Sequence, residues 1–143
     1  MEKIMKKLML QIGLMVGLLV VLTVVSANAQ TALRYKAKIS FDFNIGNKNY
    51  QAGDYFINVA NSNILTLEDA RGNNLLVKIV SSPETANATK MIFKRYENQY
   101  FLTKVISPDF GAVTLKSNAE KQLAKKQNSQ TETVSINLTK PSK

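Results

Sequence analysis

Cysteine, histidine and tryptophan are all absent from this chain. Without histidine there is no side chain whose ordinary pKa falls near neutrality, so the usual general base and the commonest metal ligand are missing together. Without cysteine there is no thiolate nucleophile and no soft metal ligand. A disulfide framework is excluded as well, so a folded domain here must stand on its core alone. The lipid anchor of bacterial lipoproteins, which requires a cysteine after the leader, is excluded on the same ground. These absences lead us to expect no cofactor, no metal site and no catalytic residue. Acidic residues are few, 10 against 19 lysines and arginines, for a formal charge of +9.

What is present begins with a leader-like segment. Lys3, Lys6 and Lys7 make a positive start, residues 8–25 are apolar except for Gln11 and Thr23, and Ala27-Asn28-Ala29 is a small-x-small site. That order is the grammar of a secretory signal peptide. The 18-residue apolar block also just reaches the length of a membrane-spanning helix. The cleavage-like site and the strand-like sequence directly after it favour a signal peptide over residues 1–29 and a single domain over residues 30–143. That domain keeps 16 of the 19 basic and 9 of the 10 acidic residues, a net +7. Its expected location is periplasmic or extracellular, with membrane contact only through the signal peptide.

The domain reads as β throughout. From Arg34 to Ile45 the residues Tyr35, Ala37, Ile39, Phe41, Phe43 and Ile45 alternate with polar neighbours, the period of a half-buried antiparallel strand. Turn signals at Gly46-Asn47-Lys48-Asn49 and Gly53-Asp54 separate it from a strand over residues 55–60. Further strands are expected over residues 64–68, 75–80, 90–96, 100–106, 112–116 and 132–138. Gly72 supplies a positive φ between the third and fourth strands. Residues 75–80 are apolar at nearly every position apart from Lys78, which predicts cover on both faces. Glu97-Asn98-Gln99 turns the clearest hairpin, with Asn98 expected in the left-handed region. Ser117 followed by Glu120 is a capping box that opens a short helix to about Gln127, with Lys125 and Lys126 at its favourable C-terminal end. The fold class expected is all-β: a small antiparallel up-and-down β-barrel of about eight strands with one short C-terminal helix. Outer-membrane barrels need longer strands and aromatic girdles that this sequence lacks.

Candidate sites are sparse. Lys90, Lys94, Arg95 and Lys104 cluster on the main hairpin with Tyr96 and Tyr100 interleaved, which suggests a surface for an acidic envelope component or another protein. Lysines also solubilise exposed strand faces and guard sheet edges, and nucleic acid is not an expected partner of an exported protein. Asp42 and Asp54 would converge if the first two strands paired, but Asp54 sits where an aspartate bonds its own turn. Asp42 and Asn44 mimic the start of a calcium loop that lacks the closing glutamate and has its glycine misplaced. Ser81, Ser107 and Ser117 all have turn or cap explanations, so a hydrolase is the weakest functional class. Finally, Tyr35, Phe41, Phe43, Tyr55, Phe93 and Tyr100 share one face, either filling a core or lining a cavity for a small apolar ligand.

"FDFNIGNKNYQAGDYFI", "ANATKMIFKRYENQYFLTKV" and "LKSNAEKQLAKK" together resemble a family of small uncharacterised secreted bacterial β-proteins. The family pattern has an apolar strand, a proline-alanine-glycine-x-tyrosine turn, an aromatic-basic hairpin and a serine-capped helix. Gln51 stands where the family has proline, and Lys94 where it usually has histidine. The resemblance implies export and a β fold and brings no activity, cofactor or partner. The function expected is therefore a non-enzymatic binding or structural module of the bacterial cell envelope. The alternative is a calyx-type carrier of an apolar ligand inside the barrel.

Overall fold

The computed structural model describes residues 1–11, 34–126 and 131–141. The chain divides into two units, Met1–Thr31 and Ala32–Lys143. In the first, residues 2–11 are helical; the apolar block beyond them and the Ala27–Ala29 site lie outside the described residues. No helix among the described residues is long and apolar enough to cross a membrane.

The second unit is mostly β, with ten strands among the described residues: β1 (Arg34–Ile39), β2 (Phe43–Ile45), β3 (Lys48–Tyr50), β4 (Gly53–Asn61), β5 (Ile64–Asp69), β6 (Asn74–Ser82), β7 (Lys90–Tyr96), β8 (Gln99–Ile106), β9 (Gly111–Thr114) and β10 (Glu132–Asn137). One short helix, Asn118–Lys126, precedes the last strand. Alternation decides which face each strand buries. In β1, Tyr35, Ala37 and Ile39 are buried while Arg34, Lys36 and Lys38 are exposed. The six aromatic residues aligned in the sequence go to the core: Tyr35, Phe43, Tyr55 and Phe93 are buried in it, and Phe41 and Tyr100 pack against it.

The regular run from Arg34 to Ile45 is not one strand. It breaks over Ser40–Asp42, and β2 leaves β1 to pair in parallel with β8. The Asp42 carboxylate fastens the break by accepting a hydrogen bond from the Ala52 amide at 2.8 Å. The break keeps the alternation, which is why the sequence does not betray it: Ile39, Phe43 and Ile45 are all buried. Beyond it, Gly46 (φ +59°) and Asn47 turn the chain tightly, so that residues 48–50 form the extra strand β3 instead of a turn.

Strand β8 organises the rest. Along one edge it carries β7, which in turn pairs with β10. Along its other edge it carries β9 beside Lys104–Ile106 and β2 beside Tyr100 and Phe101. From β9 the ladder continues through β6, β5 and β4 to β1. From β2 it continues only to β3. The sheet therefore forks at β8, and the expected up-and-down, wholly antiparallel order of about eight strands is corrected: β2 pairs in parallel with β8, and ten strands are present among the described residues. Lys36 and Thr139 exchange two backbone hydrogen bonds of 2.7 and 2.9 Å. They form an isolated bridge without a ladder, and the sheet is not closed.

Between β5 and β6 the Asp69 carboxylate accepts from the Arg71 and Asn73 amides and from Asn73 Nδ2, and Gly72 takes φ +83° as its sequence position predicts. In the main hairpin the positive φ (54°) falls on Glu97 rather than Asn98. Ser117 caps the helix, its Oγ accepting from the Glu120 amide at 3.1 Å.

Candidate functional site

The hairpin of β7 and β8 holds the basic-aromatic cluster expected as a surface. Its register is broken by a bulge between Ile92 and Phe93, where Thr103 is the unpaired residue of β8. Period-two alternation along β7 sorts its candidates onto two faces, and the bulge puts Lys104 opposite Ile92, on the side of Lys94 and Tyr96. Arg95 and Tyr100 are directly opposite on the core side, the guanidinium 5.6 Å from the ring centroid. Tyr100 stacks on Phe41, ring centroids 4.0 Å apart. Lys94 and Tyr96 face the other way, toward the capped helix. Tyr96 is 2% exposed there and packs edge-on against Phe101. Tyr96 is thus a buried residue and no part of a surface, a correction that the helix imposes.

Two cations of this hairpin form ion pairs. Arg95 pairs with Glu132 of β10 at 3.0 Å, and Lys104 pairs with Glu84 from the loop after β6. Lys94 lies in the field of Glu120, whose buried carboxyl is pushed above the usual carboxylate range by desolvation while Lys116 and Lys94 pull it back. Glu120 Oε1 has no hydrogen-bond partner among the described residues. Burial, with Glu120 nearby, likewise raises the Tyr96 hydroxyl. Lys90, half-buried, stands at the far end of β7 opposite Ile106. The six residues do not converge on one surface.

The carboxylates singled out by sequence stay apart in role. Asp42 holds the Ala52 amide, and Asp54 pairs with Lys36 at 2.9 Å. Ser107 Oγ accepts from the Asp109 and Phe110 amides, and Ser117 is the helix cap. Among the described residues no group of three histidine, cysteine, aspartate or glutamate side chains is placed to hold a metal.

A different place carries the features of a site: the seam where the forked sheet fails to meet itself. Strand β6 pairs with β5 through Asn74–Lys78 and with β9 through Ile79–Ser82. Because β9 stops there, the second edge of Asn74–Lys78 has no strand beside it among the described residues. Strand β3 likewise pairs only with β2. Between the β2–β3 hairpin and this edge of β6 lies a cleft of about 350 Å³. Ile45, Lys48 and Tyr50 border it from the β2–β3 side, Leu75, Leu76, Val77 and Lys78 from β6, and Leu115 from the end of β9. Four consecutive residues of β6 line it, and consecutive strand residues point to opposite faces. It is therefore the edge of β6, not one of its faces, that borders the cleft. A second cleft of about 270 Å³ shares Lys48, Tyr50 and Leu75 and continues to Tyr55, Leu67 and Asp69.

The walls of the seam are firm. Phe43 is fully buried behind β3, with its ring 5.6 Å from Tyr50, 5.3 Å from Tyr55 and 5.5 Å from Phe93. Tyr55 donates its hydroxyl to the Gln51 carbonyl at 2.6 Å. Burial raises both Tyr50 and Tyr55, so both hydroxyls stay neutral at physiological pH. Leu76 is 69% exposed and Leu115 52%. Lys48 and Lys78 have no acidic partner among the described residues, unlike Arg34, Lys36, Arg95 and Lys104. Sequence reasoning missed this place. The one available signal was the Leu75–Val80 run, which the structure leaves uncovered outside rather than covered on both faces: Val80 is also 52% exposed. No family model, no curated protein and no solved structure matches this chain.

Proposed function

We propose that the protein is an exported, non-enzymatic binding module of the cell envelope, built as a barrel left open along one seam, and that the seam between β3 and β6 is its ligand site. The observation that carries this reading is the unpaired edge of β6, Asn74–Lys78, bordering an apolar cleft of about 350 Å³ whose other wall is the β2–β3 hairpin. Soluble proteins usually blunt or cover such an edge. The Lys36–Thr139 bridge supports the barrel: it brings β1 to the end of the β10 segment on the side away from the seam. The main hairpin is the lesser candidate, because Tyr96 is buried and two of its four cations, Arg95 and Lys104, already pair with carboxylates.

The carrier reading has less room. Phe43, Tyr55, Phe93 and Phe41 occupy the inner face in ring-to-ring contact, where an interior ligand would sit.

Site-specific photocrosslinking in the native host tests the proposal. A photoreactive residue at position 76, on the rim of the seam, is compared with one at position 94 on the hairpin. Adducts formed at position 76 and missing at 94 are the expected result. Adducts at 94 alone, or at neither position, reject the seam as the site.

A further inference from the structure

We infer that the seam takes an extended peptide by strand addition, with apolar side chains at alternate positions and acidic ones between them. This rests on the seam being the ligand site and goes further by naming what enters it. Two kinds of occupant suit an apolar cleft rimmed by lysines: an acyl chain with an anionic head, or a peptide strand. The walls distinguish them. One wall is a strand edge, Asn74–Lys78, which lacks a ladder partner there; on the other, Lys48 and Tyr50, alternate residues of β3, enter from one face of the β2–β3 hairpin. An edge presents a row of backbone N–H and C=O groups that an acyl chain leaves unsatisfied and a peptide backbone pairs. Strand addition takes its affinity from main-chain hydrogen bonds and its specificity from pockets for alternate side chains. Ile45, Tyr50 and Leu75 supply the apolar pocket.

Charge chooses the peptide. Lys48 and Lys78 stand on opposite walls without acidic partners among the described residues, in a protein of net charge +9. Carboxylates on the incoming strand would supply the missing counter-ions. The plainer role for edge lysines is to repel stray strands. That role accounts for the two charges but not for the apolar cleft between them, nor for Phe43 bracing the β3 side against the core.

The test uses the full domain and a fluorescein-labelled hexapeptide alternating valine and glutamate, read by fluorescence anisotropy at low salt. A second peptide carries the same side chains but is N-methylated at alternate backbone amides, which removes strand pairing and leaves charge and hydrophobicity intact. The expected result is binding of the first peptide, at least ~10-fold weaker binding of the second, and a similar loss in the double variant Lys48→Glu, Lys78→Glu. Equal binding of the two peptides overturns strand addition. Dodecanoate binding that both charge reversals weaken, with no peptide binding, also overturns it while leaving the seam as the ligand site. If neither probe binds and the charge reversals make the protein self-associate, the lysines are edge guards, and both the inference and the seam reading fall.

Discussion

The β7–β8 hairpin and the β3–β6 seam are both places where lysine stands beside tyrosine, yet the fold treats them oppositely. At the hairpin, carboxylates arrive from three distant segments: Glu84 from the loop after β6, Glu120 from the helix and Glu132 from β10. The helix then packs against β7, where Tyr96 is buried. At the seam no ion pair forms among the described residues. Lys48 and Lys78 keep no acidic partner among the described residues, and the Asn74–Lys78 edge of β6 stays open. A basic-aromatic cluster in a sequence thus says little about a surface until the acids that fold onto it are known.

The contrast breaks most visibly if the seam's inner wall is removed. Phe43 is fully buried and touches three rings. Phe43→Ala should destabilise the domain by ~3–5 kcal/mol, the usual cost of emptying a buried aromatic site. Urea denaturation followed by circular dichroism measures it. A loss below ~1 kcal/mol would mean that the β2–β3 branch is not anchored, and the seam would be a loose flap instead of a formed cleft.

The next effect concerns how the hairpin acquires its acids. A β-carbon on Gly111 would lie 2.2 Å from the Glu84 carbonyl oxygen and 2.7 Å from that of Ser82. The loop that delivers Glu84 to Lys104 can pass only because position 111 has no side chain. Gly111→Ala should cost ~2–3 kcal/mol, since backbone must shift to make room. It should also release Lys104 from Glu84, seen as a changed lysine Nζ resonance. An unchanged stability would show that the loop sits elsewhere and that the hairpin's charge is less compensated than described.

Much of this architecture was legible in the sequence, and what was not has a physical cause. Alternation identified the buried face of β1 and the destination of Phe43 and Phe93, because period two reports the face regardless of the partner strand. For the same reason it could not show the break at Ser40–Asp42 or the parallel pairing of β2 with β8. A kink that preserves parity leaves no trace in the pattern. Local chemistry was well read where it is local: Gly72, and Ser117 with its helix. The hairpin bulge was hidden, and it moves Lys104 to the side of Lys94 and Tyr96, opposite Ile92 instead of Met91. The seam was hidden because an unpaired edge is a property of strand order. Leu75–Val80 looks the same in sequence whether covered or bare.

A smaller effect sharpens the hairpin side. Glu120 is 3% exposed and its Oε1 lacks a hydrogen-bond partner among the described residues. Burial raises its carboxyl above the ordinary value of 4.5, with Lys116 and Lys94 opposing. The folded state therefore favours the protonated acid. Its contribution is fully present below about pH 4.5 and is lost as pH rises through the folded value. Glu120→Gln removes that loss, so it should stabilise the domain at neutral pH by on the order of 1 kcal/mol and flatten the stability profile above pH 4.5. Thermal melts of both proteins between pH 4 and 8 test the sign. A destabilised variant at pH 7 would mean that the pull of Lys94 and Lys116 outweighs desolvation.

The smallest effect decides between the two regions as binding surfaces. Arg95 and Lys104 are about a third exposed, at 38% and 35% of the side chain, so their ion pairs with Glu132 and Glu84 are well screened. Replacing both cations by alanine should change stability by no more than ~1 kcal/mol. It should leave binding of the valine-glutamate peptide within about twofold, whereas reversing Lys48 and Lys78 lowers it at least ~10-fold. The two double variants remove positive charge from opposite regions, so comparing them at two salt concentrations separates general attraction from a local site. Loss of peptide affinity in the Arg95, Lys104 variant to the same extent would place the anionic ligand on the hairpin, and the seam would lose its claim, because free lysines there would then act only through the protein's overall field.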